Sequence, residues 1–171
     1  MIEVTLITGE AGVGKSTYAH HLANKIHGEV VELSKPIKDL AYELGWNGEK
    51  DEYGRTLLQR LGREGREVSY KIWSNHLIYQ IFRDIKLKQR NTRNPLKKVR
   101  YIVPDVRFDD EVEAIKRDFE SVKVVRVYRK GFESKLTKEQ KNDITERGVS
   151  PHLIDERLDL NTVFKNKERI E

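Results

Sequence analysis

The chain has 171 residues, enough for one domain with a sizeable core, and 36% of them are Asp, Glu, Lys or Arg with a net charge of +5. Because the chain is basic, we expect partners that carry phosphate. The mean hydropathy is −0.72 and no apolar run is long enough to cross a membrane, so we expect no membrane partner. The absence of cysteine excludes disulfides, and a strand from residue 2 leaves no room for a signal peptide, so we expect a cytoplasmic protein.

The first predicted element is a strand over residues 2–8, which leads into a phosphate-binding loop. Residues 9–16 read GEAGVGKS and complete the pattern G-x-x-x-x-G-K-S. Its glycines let the backbone turn N–H groups towards phosphates, Lys15 bridges the β- and γ-phosphates, and the Ser16 hydroxyl binds Mg²⁺. A Gly-rich turn without a ligand is the alternative, which the complete pattern argues against. The residues expected to hold the nucleotide are Glu10, Ala11, Gly12, Val13, Gly14, Lys15, Ser16 and Thr17.

Helices and a short strand are predicted next. Apolar residues at helical spacing predict a helix over 15–27, and a run of Val and Leu predicts a strand over 30–33. Pro36 opens a second helix that ends near Leu44, because its fixed φ suits the first turn of a helix. The stretch 45–53 is polar and rich in turn residues.

The predicted helix over 54–66 carries a polar face opposite its leucines. At about 100° per residue, one narrow sector holds Arg55, Gln59, Gly62 and Arg66. Guanidinium groups bind phosphate and a glutamine amide can read a base edge, so we expect this face to line an acceptor site. The alternative is an exposed helix face. The glycines at 62 and 65 could also break the helix before Arg66 comes into line with the other residues of the sector. Trp73 lies near this region, with packing as the alternative to contact with the acceptor.

A long amphipathic helix is predicted over 70–85. We favour internal packing of its apolar face, and a homodimer interface is the alternative. The helix runs into a basic segment, because residues 83–100 contain eight Lys or Arg and a single Asp. We favour a solvated helix end and loop over a patch that binds a polyanion.

A short strand at 101–103 leads to the second part of a phosphate-loop site. An acidic residue at the end of a later strand holds Mg²⁺ in such sites, so Asp105 is the second expected metal ligand. Val106 follows without the carboxylate with which ATPases commonly activate water, which favours phosphoryl transfer over hydrolysis. Arg107 projects from the same strand end and can hold an acceptor phosphate, with a surface ion pair as the alternative. Asp109 is expected to cap the next helix.

The last third of the chain is predicted to contain a strand over 122–127, a charged segment over 129–157 and a last short strand over 160–164. Phosphoryl transfer needs charge neutralisation and exclusion of water, so we interpret the charged segment as a lid over the phosphates. An ordinary solvated excursion is the alternative. The basic residues expected to act from it are Arg129, Lys130, Lys135 and Arg147, with the two arginines as catalytic groups.

The alternation of strands and helices indicates an α/β domain with a mostly parallel sheet covered on both faces. In such folds, ligands bind at the carboxyl ends of the strands. Residues 51–54 spell the D-x-x-G of GTPases, but no strand precedes them and the chain has no N-K-x-D motif. The loop lacks the third glycine of a dinucleotide site.

Several segments together resemble the bacteriophage-type deoxynucleoside monophosphate kinases, which are relatives of adenylate kinase. The matching segments occur in the family's order over most of residues 1–130, and they are GEAGVGKST (9–17), SKPIKDL (34–40), LLQRLGREGRE (57–67), Ile72-Trp73, VPDVRFDDE (103–111) and Val124 to Arg129. The chain departs from the family at three places: Arg63 stands where Thr is frequent, Asp110 where Asn is frequent, and 152–156 replaces an H-x-S-E element.

This resemblance implies a P-loop fold with three α/β/α layers, five parallel strands, a helical acceptor-binding insertion over 34–90 and a lid over 129–157. It implies Mg-ATP as the donor and a deoxynucleoside monophosphate as the acceptor. By position, the acceptor pocket would contain Lys35, Lys38, Arg55, Gln59, Arg66 and Arg107.

Two other functions compete with this interpretation. The first is a P-loop kinase for another small acceptor, such as dephospho-coenzyme A. The second is a nucleic-acid-binding ATPase that uses the basic run at 83–100. Val106 and the absence of a second ATPase subdomain argue against nucleic acid as a partner.

Overall fold

A computed structural model describes residues 1–91, 98–134, 136–142 and 146–165 of the chain. In these residues, five parallel strands form one sheet in the order β2-β3-β1-β4-β5. The strands are β1 (Ile2–Thr8), β2 (Glu29–Val30), β3 (Val99–Val103), β4 (Ser121–Tyr128) and β5 (Glu156–Asp159). The expected α/β fold with a five-stranded sheet is confirmed, and the sheet is parallel throughout.

Helices cover both faces of this sheet, which gives the three expected layers. The helices are α1 (Lys15–Ile26), α2 (Lys35–Glu43), α3 (Glu52–Val68), α4 (Ile72–Asn91), α5 (Asp109–Asp118), α6 (Lys138–Asn142) and α7 (Leu160–Lys165). Successive side chains of a strand point to opposite faces, so Leu6 packs in a core with α4 and α5 while Ile7 packs in a core with α1 and α7. None of the described helices is long and apolar enough to cross a bilayer.

The centre of the sheet positions the phosphate-binding loop. Leu6 of β1 pairs with Val103 of β3 on one side and with Val124 of β4 on the other. The chain leaves β1 for α1 at the point where the strand order reverses. In open parallel sheets this reversal opens a crevice at the carboxyl ends of the strands.

Helix α3 differs from its prediction, because it runs without interruption through both glycines. The close packing of α4 explains Gly65, since a Cβ there would lie 2.2 Å from Cζ2 of Trp73. Trp73 also ties the helices together, because its Nε1 donates to the carbonyl of Gly62 at 2.9 Å. Tertiary packing therefore outweighs the low helix propensity of glycine.

The last strand lies earlier than predicted. Residues 156–159 pair with β4, and the residues expected to form a strand over 160–164 belong to α7 instead. Leu160, Val163 and Phe164 have the i, i+3, i+4 spacing of one helix face, and they pack in the same core as α1. The interpretation as a strand was wrong because it ignored this period. The strand predicted over 30–33 is Glu29–Val30 in the structure, so it begins one residue earlier and ends three residues earlier than predicted.

Candidate active site

The loop between β1 and α1 has the backbone geometry of a phosphate cradle. Gly9, Gly12 and Gly14 have φ values of +146°, +82° and +108°, a region that side chains other than glycine rarely adopt. A Cβ at Gly9 would also lie 2.4 Å from the carbonyl oxygen of Val127 in β4. Gly14 immediately precedes α1, so the loop amides and the positive end of the helix dipole both favour an anion at the amino end of this helix.

The side chain of Lys15 lies over this loop. Its Nζ donates to the carbonyl oxygens of Gly9 at 2.7 Å and Glu10 at 2.8 Å. Burial lowers the pKa of Lys15 to about 8, and the nearby charge of Arg107 contributes to this shift. A partly buried cation beside another cation gains strongly from an anion, which is the property required of a phosphate-binding lysine.

A cleft of about 320 Å³ opens beside the loop, at the carboxyl ends of β1 and β3. Its walls are the loop, the segment after β2, one face of α3, the start of α4 and the segment after β3. Most of the residues expected to form the site line it, namely Ala11, Gly12, Gly14, Lys15, Ser16, Thr17, Lys38, Arg55, Gln59, Arg66, Trp73, Asp105 and Arg107.

Helix α3 presents its polar face to the cleft because both ends of the helix are held in place. Asp51 caps it at the amino end, since its Oδ1 accepts from the N–H of Gly54 at 2.7 Å. Trp73 anchors the other half through Gly62. The resulting wall carries Arg55 near the amino end and Gln59 one turn further, on the side away from solvent-facing Glu64.

Arg66 already has carboxylate partners. Its guanidinium lies 2.8 Å from Asp110 and 3.1 Å from Glu111, and its Cζ lies 3.7 Å above the ring centroid of Phe108. The charge of Arg66 is therefore largely balanced within the protein. Its clearest role is to hold the segment between β3 and α5 against α3.

Glu111 organises the start of α5. Its Oε2 accepts from the backbone N–H groups of Arg107 at 2.9 Å and Phe108 at 3.1 Å, which satisfies amides that the helix leaves unpaired. Burial raises the pKa of Glu111 to about 7. The expectation that Asp109 caps this helix was wrong, because Asp109 accepts from the backbone N–H and the hydroxyl of Ser150.

Asp105 connects two of the cleft walls. Its carboxylate accepts from the N–H of Leu33 at 3.0 Å and from the N–H of Ser34 at 2.7 Å. Each carboxylate oxygen keeps a further lone pair, so Asp105 can still bind a metal ion or accept a hydrogen bond from water. A carboxylate and the Ser16 hydroxyl lining the same cleft are oxygen donors of the kind that Mg²⁺ takes.

Arg107 forms an ion pair with Glu146. Only 10% of the Glu146 side chain is exposed, and both residues line the cleft. The segment after α6 therefore brings a carboxylate close to the cationic groups around Lys15.

Lys50 was not predicted as a site residue, yet it lines the cleft, and its charge interacts with those of Lys15 and Arg55. Burial lowers the pKa of Lys50, and the charges of Lys38 and Arg55 lower it further. Lys38 has its own partner, because it forms an ion pair with Glu32. The signal for Lys50 was weak, since it stands in a polar turn between predicted helices.

Six expected site residues lie outside the cleft lining, and one of them is Lys130, which is exposed. Lys35 forms an exposed ion pair with Asp39 at 2.8 Å, and Arg147 is exposed. Arg129 lies on the other side of the loop, in a shallow hollow that it shares with Thr17 and Phe164. Its Nη2 lies 3.0 Å from the position that a Cβ would take at Gly14. The remaining two are Glu10, which gives its carbonyl to Lys15, and Val13, which is buried. Lys135 lies outside the described residues.

No protein-family model matches the chain, and the search of curated proteins gives no match. Among solved structures, the chain is similar to the shikimate kinase of Aquifex aeolicus, with 13% identity, 98% of this chain and 96% of that chain covered, and a TM-score of 0.39. It is also similar to the shikimate kinase of Bacteroides thetaiotaomicron, with 14% identity, 98% of both chains covered and a TM-score of 0.37. Neither is a deoxynucleoside monophosphate kinase, and at this distance we argue function from the residues of this chain alone.

Proposed function

We propose that the protein transfers the γ-phosphoryl group of Mg-ATP to a (deoxy)nucleoside monophosphate, which gives the diphosphate and ADP. One observation carries the proposal: a single cleft joins the phosphate-binding loop to a cationic and partly aromatic wall on α3 and α4. A triphosphate cradle with a second group of cations beside it suits two phosphorylated ligands held with their phosphates together. Hydrolysis would need no second anion site.

In the proposed reaction, an oxygen of the acceptor phosphate attacks the γ-phosphorus in line. A new P–O bond forms, the bond to the oxygen that bridges the β- and γ-phosphates breaks, and ADP leaves with the electron pair. The second pKa of a phosphate monoester is about 6, so the acceptor is already ionised at neutral pH and no general base is required. Val106 is consistent with this chemistry, because it offers no carboxylate to activate water.

The residues of the chain would act by positioning and by balancing charge. Lys15 and the loop amides would hold the β- and γ-phosphates, while Arg107 would exchange Glu146 for a phosphate oxygen. Ser16 and Asp105 would hold Mg²⁺, which would neutralise charge on the two outer phosphates of ATP. Arg55 would bind the acceptor phosphate.

We also propose that segment 129–157 closes over the reacting phosphates. Its described part already contacts the cleft, since Leu136 and Glu146 line it. Gln140 of α6 is buried and donates to the carbonyl oxygen of Glu52 at the start of α3, at 3.3 Å. In this proposal Arg129 acts from the loop side and Arg147 enters only on closure.

The test is an assay of ADP formation with Mg-ATP and each of four deoxynucleoside and four ribonucleoside monophosphates. We expect ADP to form in proportion to the diphosphate product, and only when an acceptor is present. Dephospho-coenzyme A serves as the competing acceptor, and single-stranded and duplex DNA test for a stimulated ATPase. ADP formation that is independent of every monophosphate, or that requires DNA, would overturn the proposal.

A further inference from the structure

Helix α3 contains three glycines, and close packing against other segments of the same chain explains two of them. A Cβ at Gly54 would lie 2.1 Å from the carbonyl oxygen of Glu49 and 2.6 Å from Nε1 of Trp46. A Cβ at Gly65 would lie 2.2 Å from Cζ2 of Trp73. Both positions therefore require glycine for the fold itself.

Gly62 is different, because nothing in the described fold requires glycine there. Its backbone is helical and has no positive φ. Among the described residues, a Cβ at Gly62 would have only Cδ1 of Ile37 within 4 Å, at an ordinary contact distance of 3.5 Å. Glycine inside a helix is less stable than alanine, so this position carries a cost that neither backbone nor packing accounts for.

The surroundings of Gly62 indicate what the space is for. Gly62 lines the cleft on the same face of α3 as Gln59, and the Ile37 side chain that its Cβ would approach lines the cleft as well. Its carbonyl is already occupied by the indole of Trp73. Gly62 and Ile37 therefore form a flat, apolar surface between Gln59 and Arg66, which suits a flat aromatic ring rather than a phosphate.

Arg66, one turn beyond Gly62, is already paired with Asp110 and Glu111, and the other α3 cation that lines the cleft lies at the opposite end of the wall. Arg55 precedes Gly62 by seven residues, or about 10 Å along the helix axis. Lys50 also lines the cleft, and its charge interacts with those of Arg55 and Lys15. A nucleotide whose phosphate lies at this cationic end would extend its base along α3 towards Gly62.

We propose that Gly62 sets the size of the acceptor subsite by letting the base lie directly against the α3 backbone. This inference rests on the proposed function, because it takes the acceptor to be a nucleoside monophosphate. A methyl group at this position would push the ring away from the helix without disturbing the protein. Gly62 is thus a specificity-determining residue that acts through the side chain it lacks.

The test compares Gly62→Ala with Glu64→Ala, a change on the exposed side of the same helix. For Gly62→Ala we expect the Tm to rise by about 1–4 °C, as for a helix glycine that the fold does not need. We expect the KM for the best monophosphate to rise at least about fivefold and the KM for ATP to stay unchanged. Inhibition by deoxyribose 5-phosphate, which has no base, should not change, and Glu64→Ala should leave both KM values unchanged.

Each opposite result overturns the inference. A lower Tm for Gly62→Ala would show that packing requires the glycine after all. An unchanged KM for the monophosphate would show that the base does not lie there, and an equal loss for deoxyribose 5-phosphate would show that the base is not the group in contact. Failure of the unaltered protein to use any monophosphate would instead remove the proposed function, and the inference with it.

Discussion

At the residue scale, we expect Lys15 to make nucleotide binding dependent on pH. Its pKa is lowered to about 8 in the free protein by burial and by Arg107, and a bound phosphate would raise it again. Binding therefore takes up a proton above pH 8. We expect the affinity for ATP to be constant up to about pH 8 and then to fall by up to tenfold per pH unit as the free lysine loses its charge.

Calorimetric titration with ATP from pH 7.5 to 9.5 measures this effect, because the phosphates themselves are fully ionised above their pKa of about 6. Adding EDTA keeps the result independent of metal binding. Two buffers with different ionisation enthalpies should reveal proton uptake near pH 8.5. Constant affinity over this range would contradict the prediction.

Lys50 gives a second prediction at the same scale. Its ammonium lines the cleft beside Arg55 and has a lowered pKa, because burial and neighbouring cations disfavour its charge until an anion arrives. Lys50→Met should raise the KM for the acceptor by about 10-fold or more and leave the KM for ATP unchanged, as expected for loss of a charge-assisted hydrogen bond.

Steady-state kinetics with each substrate varied in turn measures both constants. Lys25→Met is the matched control, because Lys25 is exposed at the end of α1 and lies away from the cleft. Lys50→Arg should restore most of the affinity for the acceptor. An equal rise in the KM for ATP would place Lys50 at the donor instead.

At the element scale, the pairing of α3 with α4 depends on Gly65 and Trp73. Gly65→Ala would place a methyl group 2.2 Å from Cζ2 of Trp73, so the helices must separate or the indole must move. Overpacking of this kind costs about 1–3 kcal/mol, which lowers the Tm of a domain of this size by about 3–10 °C.

Thermal unfolding followed by circular dichroism tests this prediction. Glu64→Ala again serves as the control, since it alters the exposed side of the same helix. A Tm equal to that of the unaltered protein would mean that the contact is not rigid. The opposite signs expected for Gly65→Ala and Gly62→Ala distinguish a glycine kept for packing from one kept for a ligand.

The same helix shows where local patterns mislead. Helix propensity alone predicts weakness at both glycines, but α3 continues because α2 and α4 pack against it. At the other end of the chain, Leu160 and Phe164 look like strand residues by type and are helical by spacing. Their true period appears only when the residues are matched to the core that they enter.

At the scale of the whole molecule, we expect ATP to stabilise the fold, because the proposed site exists only in the folded protein. At 100 times its Kd, a ligand contributes about 2.7 kcal/mol, or a rise in Tm of about 5–10 °C for a chain of this length. Differential scanning fluorimetry with increasing Mg-ATP measures this rise in Tm.

The variant Lys15→Ala tests the role of the lysine. Without ligand, its Tm should stay close to that of the unaltered protein. It should lose the ATP-dependent rise in Tm and lose activity by orders of magnitude. A full thermal shift in this variant would remove Lys15 from the proposed site.

The charge distribution of the whole molecule also bears on its partners. Within the basic run at 83–100, Lys98 and Arg100 contact Glu3 at 2.6 Å and 3.1 Å, and Lys88 pairs with Asp84 and Glu29. Residues 92–97 of this run lie outside the described residues. Several of its described cations are thus balanced by carboxylates of the same chain, which supports the interpretation as a solvated surface rather than a polyanion patch.

Patterns in the sequence were enough to determine the class of fold and to locate the loop that we propose holds the phosphate donor. The phosphate-binding loop is contiguous, and its glycines have the conformations that such a loop needs. Strand and helix alternation was enough to predict a parallel sheet, because chain connectivity and handedness leave few other arrangements. Asp105, Arg55 and Gln59 were predicted from strand ends and helix spacing, and all three line the cleft.

Only the tertiary structure decided which charged side chains remain available to a ligand. Arg66 faces the cleft as its helix spacing predicts, yet Asp110 and Glu111 from a distant part of the chain already balance its charge. Lys50 enters the cleft because α2 and α3 fold around it, and no local period marks it. The availability of a charge depends on every group within a few ångströms, and those groups come from elements that the order of residues does not place side by side.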